Sequence, residues 1–379
     1  MRCSIMDLHL GWCGMFNNIY KNKKVLITGH TGFKGSWLTT WLLDLGAHII
    51  GISKDIPTAP AMFEELELEK KIQHHLIDIR DLDALSKIIN QEKPDFIFHL
   101  AAQAIVSTSY LEPLETISSN VIGTTHILES LRLSNQRCVV IIITSDKAYD
   151  NVEQIWGYKE NDAMGGKDIY SGSKGAAELI IKSYYHSFFK LEKSNVRLSI
   201  ARAGNVIGGG DWAKDRIIVD AMIAWSKGDK VEIRSPKATR PWQHVLEPLS
   251  GYLSLGQQLY IDISLNGEGF NFGPRAEQNR NVQELLVDSS KYWNFDHDDA
   301  FRITGNIPFH EAGLLKLNCD KALSHLKWQA NLEYKDTIKF TSEWYYEFYN
   351  GDNDILDKTI NQIRKYEYIA QEKGLVWTE

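Results

Sequence analysis

The 379-residue chain predicts an α/β protein: a doubly wound parallel sheet followed by a smaller, mixed α/β C-terminal lobe that binds substrate. Three observations predict this. Short apolar runs alternate with helix-period stretches through the first 204 residues. A glycine-rich turn joins the first apolar run to the first helix. Past residue 204 the alternation breaks into short mixed elements.

The elements follow in order. Lys24 to Thr28 reads as a buried strand, and Gly32 to Leu45 as a helix closed by Gly46. Ala47 to Ile52 is a second strand, and Leu76 to Asp78 ends a third. Asp95 to Leu100, Val139 to Thr144 and Val196 to Ala201 are the fourth, fifth and sixth. These runs are apolar almost throughout, as strands covered by helices on both faces must be. Helical patterns at 81–91, 113–134 and 168–191 lie between them. After Gly208-Gly209-Gly210 come a helix near 212–227, a strand at 230–234, a helix near 246–262, strand-like Phe270 to Phe272, and a helix near 334–349. The expected organisation is an N-terminal extension (1–22), a dinucleotide-binding domain (23–204, with later segments returning to it), a lobe mainly for substrate (205–349) and a polar, partly frayed tail (350–379).

Composition narrows the function classes. Lys plus Arg is 42 and Asp plus Glu 49, giving 42 − 49 = −7, which disfavours a broad nucleic-acid face. The four cysteines, Cys3, Cys13, Cys138 and Cys319, form no C-x-x-C pair, so neither a disulfide framework nor a metal site is expected. Cys138 abuts the apolar run 139–143 and reads as core. No apolar run reaches membrane-spanning length. The first 14 residues lack the features of a secretory signal, which predicts a cytoplasmic protein, with Met15 as an alternative start.

Gly29-His30-Thr31-Gly32-Phe33-Lys34-Gly35 follows the first strand and opens the first helix. Gly29 would make the tight turn, Gly32 would admit a pyrophosphate, and Gly35 would let helix and strand pack closely. Thr31 and Phe33 lie in the same turn, whose helix N-terminus offers unpaired N–H groups to phosphate. This predicts a Rossmann-type dinucleotide site. The residue gripping the adenosine ribose should end the second strand. No acid stands at that end, so Ser53 is the candidate, while Lys54 would suit a 2′-phosphate and leaves NADP open. Asp78 and Ile79 end the third strand, where adenine would rest. A helix-capping role for Asp78 is the plain alternative. Leu100, Ala101 and Ala102 end the fourth strand beside the same cofactor.

Tyr170 and Lys174 have Y-x-x-x-K spacing, which puts both on one helix face. The lysine would hold the nicotinamide ribose and favour tyrosinate, and the tyrosine would take a proton from a sugar hydroxyl. The fifth strand runs into Ser145-Asp146-Lys147, at the carboxyl edge where such sheets bind ligands. Ser145 would hold the reacting hydroxyl beside an adjacent acid and amine. A solvent-facing ion pair is the plain alternative for Asp146 and Lys147.

With these motifs the chain resembles the extended short-chain dehydrogenase/reductase family over residues 23–345. Within it, the likeness is to the 4,6-dehydratases of nucleotide sugars, those of CDP-glucose above all. Thr28–Trp37, Pro57–Glu64, Ser145–Asn151, Arg202–Trp212 and Arg240–Leu249 carry the likeness. The resemblance implies NAD as cofactor, a nucleotide-sugar substrate and a homodimer. It implies Asp146 as general acid and Lys147 as general base, with Tyr170, Lys174 and Ser145 in the redox step. It also implies Asn205, Arg216, Arg240, His244 and Asn271 as substrate-binding residues. Two departures stand out: Ser107 replaces an arginine frequent in relatives, and Gly313-Leu314-Leu315 replaces arginines that hold a dTDP diphosphate. The rival readings are a dehydratase for another nucleotide sugar, a 4-epimerase, and a non-catalytic NAD-sensing regulator.

Overall fold

The computed structural model describes residues 14–275, 277–293, 295, 300–304, 314–351 and 354–379. Gly313 and the cysteines at 3 and 13 lie outside them. Seven strands form one parallel sheet: β1 (Lys24–Thr28), β2 (His48–Ser53), β3 (Gln73–Leu76), β4 (Phe96–His99), β5 (Cys138–Ile143), β6 (Val196–Arg202) and β7 (Gly269–Asn271). Their spatial order is β7-β6-β5-β4-β1-β2-β3. The order reverses between β1 and β4, which pair Val25 with Phe96 and Thr28 with His99. A ligand crevice opens at the carboxyl ends there.

Seven of the helices frame the sheet and the site: α1 (Phe33–Asp44), α2 (Leu82–Glu92), α3 (Thr124–Ser134), α4 (Ile169–Tyr184), α5 (Leu246–Ile261), α6 (Tyr334–Asn350) and α7 (Ile355–Glu372). The sheet separates two apolar cores. Leu26, Ile97, Val140 and Leu198 face one, with Leu85, Leu128 and Ile181 from α2, α3 and α4. Val25, Phe98, Ile141 and Ala201 face the other, with Trp37, Leu253 and Trp344 from α1, α5 and α6. Cys138 is buried, as its apolar neighbours predicted.

One expectation is given its place and another changes. Phe270 and Asn271 pair in parallel with Ala201 and Arg202, so this strand-like segment is the seventh strand of the main sheet, a later segment that returns to it. Its three residues are too short to announce a sheet strand from sequence. The polar tail does not fray. It forms α7, whose buried Thr359, Gln362, Ile363, Tyr366, Glu367 and Ala370 recur at helical spacing. Trp377 stacks on Phe16 at 5.1 Å and on Tyr366 at 5.8 Å, tying the tail to the segment before β1. Mean polarity concealed this face, because six of the helix's 18 residues are charged.

Candidate active site

Gly29 has φ +76°, and a Cβ there would lie 2.8 Å from the Ala101 nitrogen. A Cβ on Gly35 would lie 2.1 Å from the Gly29 oxygen, so the helix sits against the turn only without a side chain. Gly32 caps α1 and supplies no side-chain acceptor, which leaves the first N–H groups of the helix for a ligand. Thr31 is held by its hydroxyl on the Asp55 carbonyl at 2.8 Å, and Phe33 begins the helix. The Thr28 hydroxyl accepts from the Ala101 N–H at 3.2 Å, fixing the β4 end beside the glycine turn. Leu100 and Ala102 flank Ala101 there, half-buried. This cradle fits a dinucleotide pyrophosphate.

At the β2 end, Ser53 is buried and its hydroxyl meets His30 Nδ1 at 3.0 Å. It also accepts from the Thr31 N–H at 3.4 Å. Ser53 therefore braces the glycine turn through His30, a link that spacing could not reveal. Asp78 takes both the backbone N–H (2.9 Å) and the guanidinium of Arg80, which holds its carboxyl below the usual range. The cap of α2 is Asp81, on the Ala84 N–H at 3.0 Å, so Asp78 does not cap that helix. Ile79 packs in the core against Gly123. Lys54 pairs with Glu115 at 3.0 Å.

Tyr170, Lys174, Ser145 and Asp146 are all buried, and the structure brings them together. The Ser145 hydroxyl donates to Asp146 Oδ1 at 2.9 Å and accepts from the Lys147 N–H at 3.2 Å, shaping the turn after β5. Burial pushes the Tyr170 phenol up to about 12. A hydrogen bond with Ser145 opposes this, the Asp146 charge adds to it, and Arg216 opposes it. Burial draws the Lys174 ammonium down to about 8, against the charge of Glu178. Lys174 Nζ stands 6.0 Å from the Tyr170 ring centroid. Lys147 is half-buried, and no described residue hydrogen-bonds or ion-pairs its ammonium.

Asp146 lines a narrow cleft with Gly204, Pro241, Gln243, Arg275, Lys316 and Leu317 among its walls. Gly204 admits it: a Cβ there would lie 1.9 Å from Asp146 Oδ2. A solvent-facing turn is thereby excluded for Asp146, which is 5% exposed.

The expected substrate residues divide. Arg216 pairs with Asp211 and acts on Tyr170, so it faces the site. Asn205 takes a left-handed turn (φ +51°) next to Gly204. Arg240 lies beside cleft-lining Pro241, on a two-residue strand paired with Arg280. His244 is fully buried, edge-on to Trp37 and Phe340, and held neutral by burial at about 3. Asn271 is on β7. It is fully buried, donates to the Tyr158 and Asn318 carbonyls, and accepts from the Tyr149 hydroxyl at 2.8 Å. Both side chains belong to packing that brings distant segments together, which neighbouring residues do not disclose. Ser107 donates to Asp215 at 2.6 Å.

Sequence reasoning missed Arg275, Lys316 and Lys34. Arg275 and Lys316 lie 129 and 170 positions beyond Asp146 (275 − 146 and 316 − 146), so only tertiary folding joins them in one cleft. Burial draws Lys34 down to about 8, with Arg216 and Lys174 adding to this and Asp146 and Asp211 opposing it. Its place between Phe33 and Gly35 was a signal: a cation there points from the helix start toward the crevice.

The profile of the GDP-mannose 4,6 dehydratase family matches residues 26–341. The chain is 44% identical over 342 residues to the CDP-glucose 4,6-dehydratase of Salmonella typhimurium, covering 89% of this chain and 95% of that one. Two solved structures share its fold: the UDP-glucose 4-epimerase of Thermotoga maritima and the dTDP-glucose 4,6-dehydratase of Streptomyces venezuelae with NAD bound. The first has a TM-score of 0.74 at 20% identity, covering 86% of this chain and 99% of that one. The second has 0.73 at 20%, covering 86% and 97%. With its glycine cradle, its tyrosine–lysine helix and this agreement along most of its length, the chain belongs to the GDP-mannose 4,6-dehydratase family of NAD-dependent epimerases and dehydratases, within the extended short-chain dehydrogenases/reductases.

Proposed function

We propose that the chain converts CDP-D-glucose to CDP-4-keto-6-deoxy-D-glucose with loss of water. The observation that carries this is the turn Ser145-Asp146-Lys147, whose carboxyl adjoins Tyr170 and lines the cleft. An epimerase has no use for an acid that expels a hydroxyl. The 44% identity to a CDP-glucose 4,6-dehydratase supports the nucleotide.

The cradle of Gly29, Gly32 and Gly35 would hold the NAD pyrophosphate, with the β3 end near Asp78 and Ile79 at the adenine. Bound there, NAD supplies a hydride acceptor and donor. Tyr170 takes the O4 proton of the hexose, steadied by Ser145 and Arg216, with Lys174 Nζ 6.0 Å from its ring centroid. Lys147 as general base takes the C5 proton once C4 is a ketone. Asp146 as general acid gives a proton to the C6 hydroxyl, which leaves as water; return of the hydride at C6 and of a proton from Lys147 at C5 would complete the 6-deoxy product. Arg275 and Lys316 line the cleft, and together with Arg216, Asn205 and Arg240 they would hold the diphosphate and nucleoside. They supply the positive charge that Leu314 and Leu315 lack.

We also propose that the protein works as a cytoplasmic homodimer. Leu114, Ile117 and Ile122 before α3, and Leu179 on α4, are exposed apolar side chains suited to a second copy.

Incubation with CDP-glucose, dTDP-glucose and GDP-mannose in parallel, read by product mass, tests the reading. The expected result is loss of one water from CDP-glucose foremost. A product of unchanged mass would make the chain an epimerase, and no turnover of any sugar would favour the regulator. Lys147→Ala should abolish uptake of solvent deuterium at C5.

A further inference from the structure

Beneath the catalytic turn lies a polar network that the proposed reaction does not use. Glu178 and Arg202 form an ion pair with both side chains 2% exposed. Glu178 Oε1 accepts from the Thr144 hydroxyl at 2.6 Å and from Arg202 Nε at 2.8 Å, and Oε2 accepts from Arg202 Nη2 at 2.5 Å. Arg202 Nη1 donates to the Tyr149 hydroxyl at 2.6 Å. Thr144 and Tyr149 bracket the turn that carries Ser145, Asp146 and Lys147. Glu178 stands on α4 one turn beyond Lys174 and two beyond Tyr170. Gly175, on the same helix, packs so closely that a Cβ would lie 3.2 Å from the Ala148 carbonyl.

A buried pair of this kind adds little stability over apolar residues of the same size, because desolvation offsets the attraction. What it adds here is geometry. We propose that Glu178 is a positioning residue for the reaction: its carboxylate, divided between Thr144 and Arg202, locks the helix carrying Tyr170 and Lys174 to the turn carrying Ser145, Asp146 and Lys147. The inference rests on the catalytic roles given to those residues above.

The same carboxylate acts on Lys174. The groups facing that lysine are Tyr170 and Glu178 on its own helix, Lys34 at the start of α1, and His99 at the end of β4. His99 is neutral and bonded to Thr28 and Thr124, so it brings no charge. Lys34 repels the ammonium, and Glu178 is the anion that retains it. Removing the carboxylate makes Lys174 lose its proton at lower pH.

The test compares wild type, Glu178→Gln, Glu178→Asp and the double variant Glu178→Met/Arg202→Met. In Glu178→Gln, kcat with CDP-glucose should fall on the order of 10²-fold, the cost of a misplacement of about 1 Å. KM should stay within about threefold, because ground-state binding is untouched. The alkaline limb of kcat and the alkaline break in NAD affinity, followed by tryptophan fluorescence, should both move to lower pH. Glu178→Asp should keep both where wild type has them. Should Glu178→Gln unfold with Arg202 unpaired, the apolar double variant carries the same readouts. A folded variant with wild-type kcat, or one that is slow with both pH breaks unmoved, overturns the proposal. A wild type that turns over no sugar counts against the proposed function, and the NAD titration then decides this inference alone.

Discussion

Gly204→Ala perturbs the proposed acid without touching it chemically. The new methyl would lie 1.9 Å from Asp146 Oδ2, 2.1 Å from Cγ and 2.5 Å from Oδ1. Ordinary carbon contact begins near 3.4 Å, so the carboxyl must retreat by 3.4 − 1.9 = 1.5 Å. It is 5% exposed and tied to Ser145 at 2.9 Å, so the retreat breaks that bond and draws the acid away from the cleft. A misplacement of about 1 Å costs on the order of 10²-fold, or about 2.7 kcal/mol of barrier. Overpacking costs about 1–3 kcal/mol of stability, which a 379-residue chain shows as a melting-point drop of a few degrees. The assay is kcat for water loss from CDP-glucose at a temperature where circular dichroism shows the variant folded. Deuterium wash-in at C5 is followed in parallel. Water loss should slow on the order of 10²-fold while wash-in persists, because Lys147 is not displaced. Wild-type water loss in folded Gly204→Ala would refute Asp146 as the acid.

Other consequences are equally open to measurement. Burial raises Glu367 to about 8, against its hydrogen bond from Trp41 at 2.7 Å. Its folded value lies above the unfolded one, so its contribution is present below about 4.5 and lost as pH rises toward 8. Glu367→Gln should therefore match wild type in melting temperature at pH 4 and exceed it by several degrees at pH 8.5; a difference independent of pH would contradict this. Arg275→Ala should raise KM for CDP-glucose about tenfold with kcat nearly unchanged, the pattern of lost ground-state binding. An unchanged KM would remove Arg275 from the diphosphate site. Leu114→Glu with Leu179→Glu should turn a dimer into a monomer in sedimentation, since buried like charges oppose association; an unaltered mass would place the interface elsewhere.

The strands β1, β2 and β4 to β6, the glycine cradle and the tyrosine–lysine helix were legible in the sequence because each is local; β3, with polar Gln73, His74 and His75, showed only where it ends. Strand apolarity, a turn that only glycine can make and an i, i+4 pair are set by residues within a few positions of one another. The same locality let Asp146 and Lys147 be found at the end of β5. What tertiary structure alone decided lies far apart along the chain. Gly204 comes against Asp146, Arg202 against Glu178, and Arg275 and Lys316 into the cleft, through sheet order and the crossover that returns β7 beside β6. His244 sits in a recognisable passage and Asn271 on β7, yet it is remote segments, Trp37 and Phe340 around the imidazole and the Tyr158 and Asn318 carbonyls at the amide, that set their surroundings. Local pattern specifies which element forms; whether a side chain ends in the core or at the cleft depends on what other elements bring to its other side.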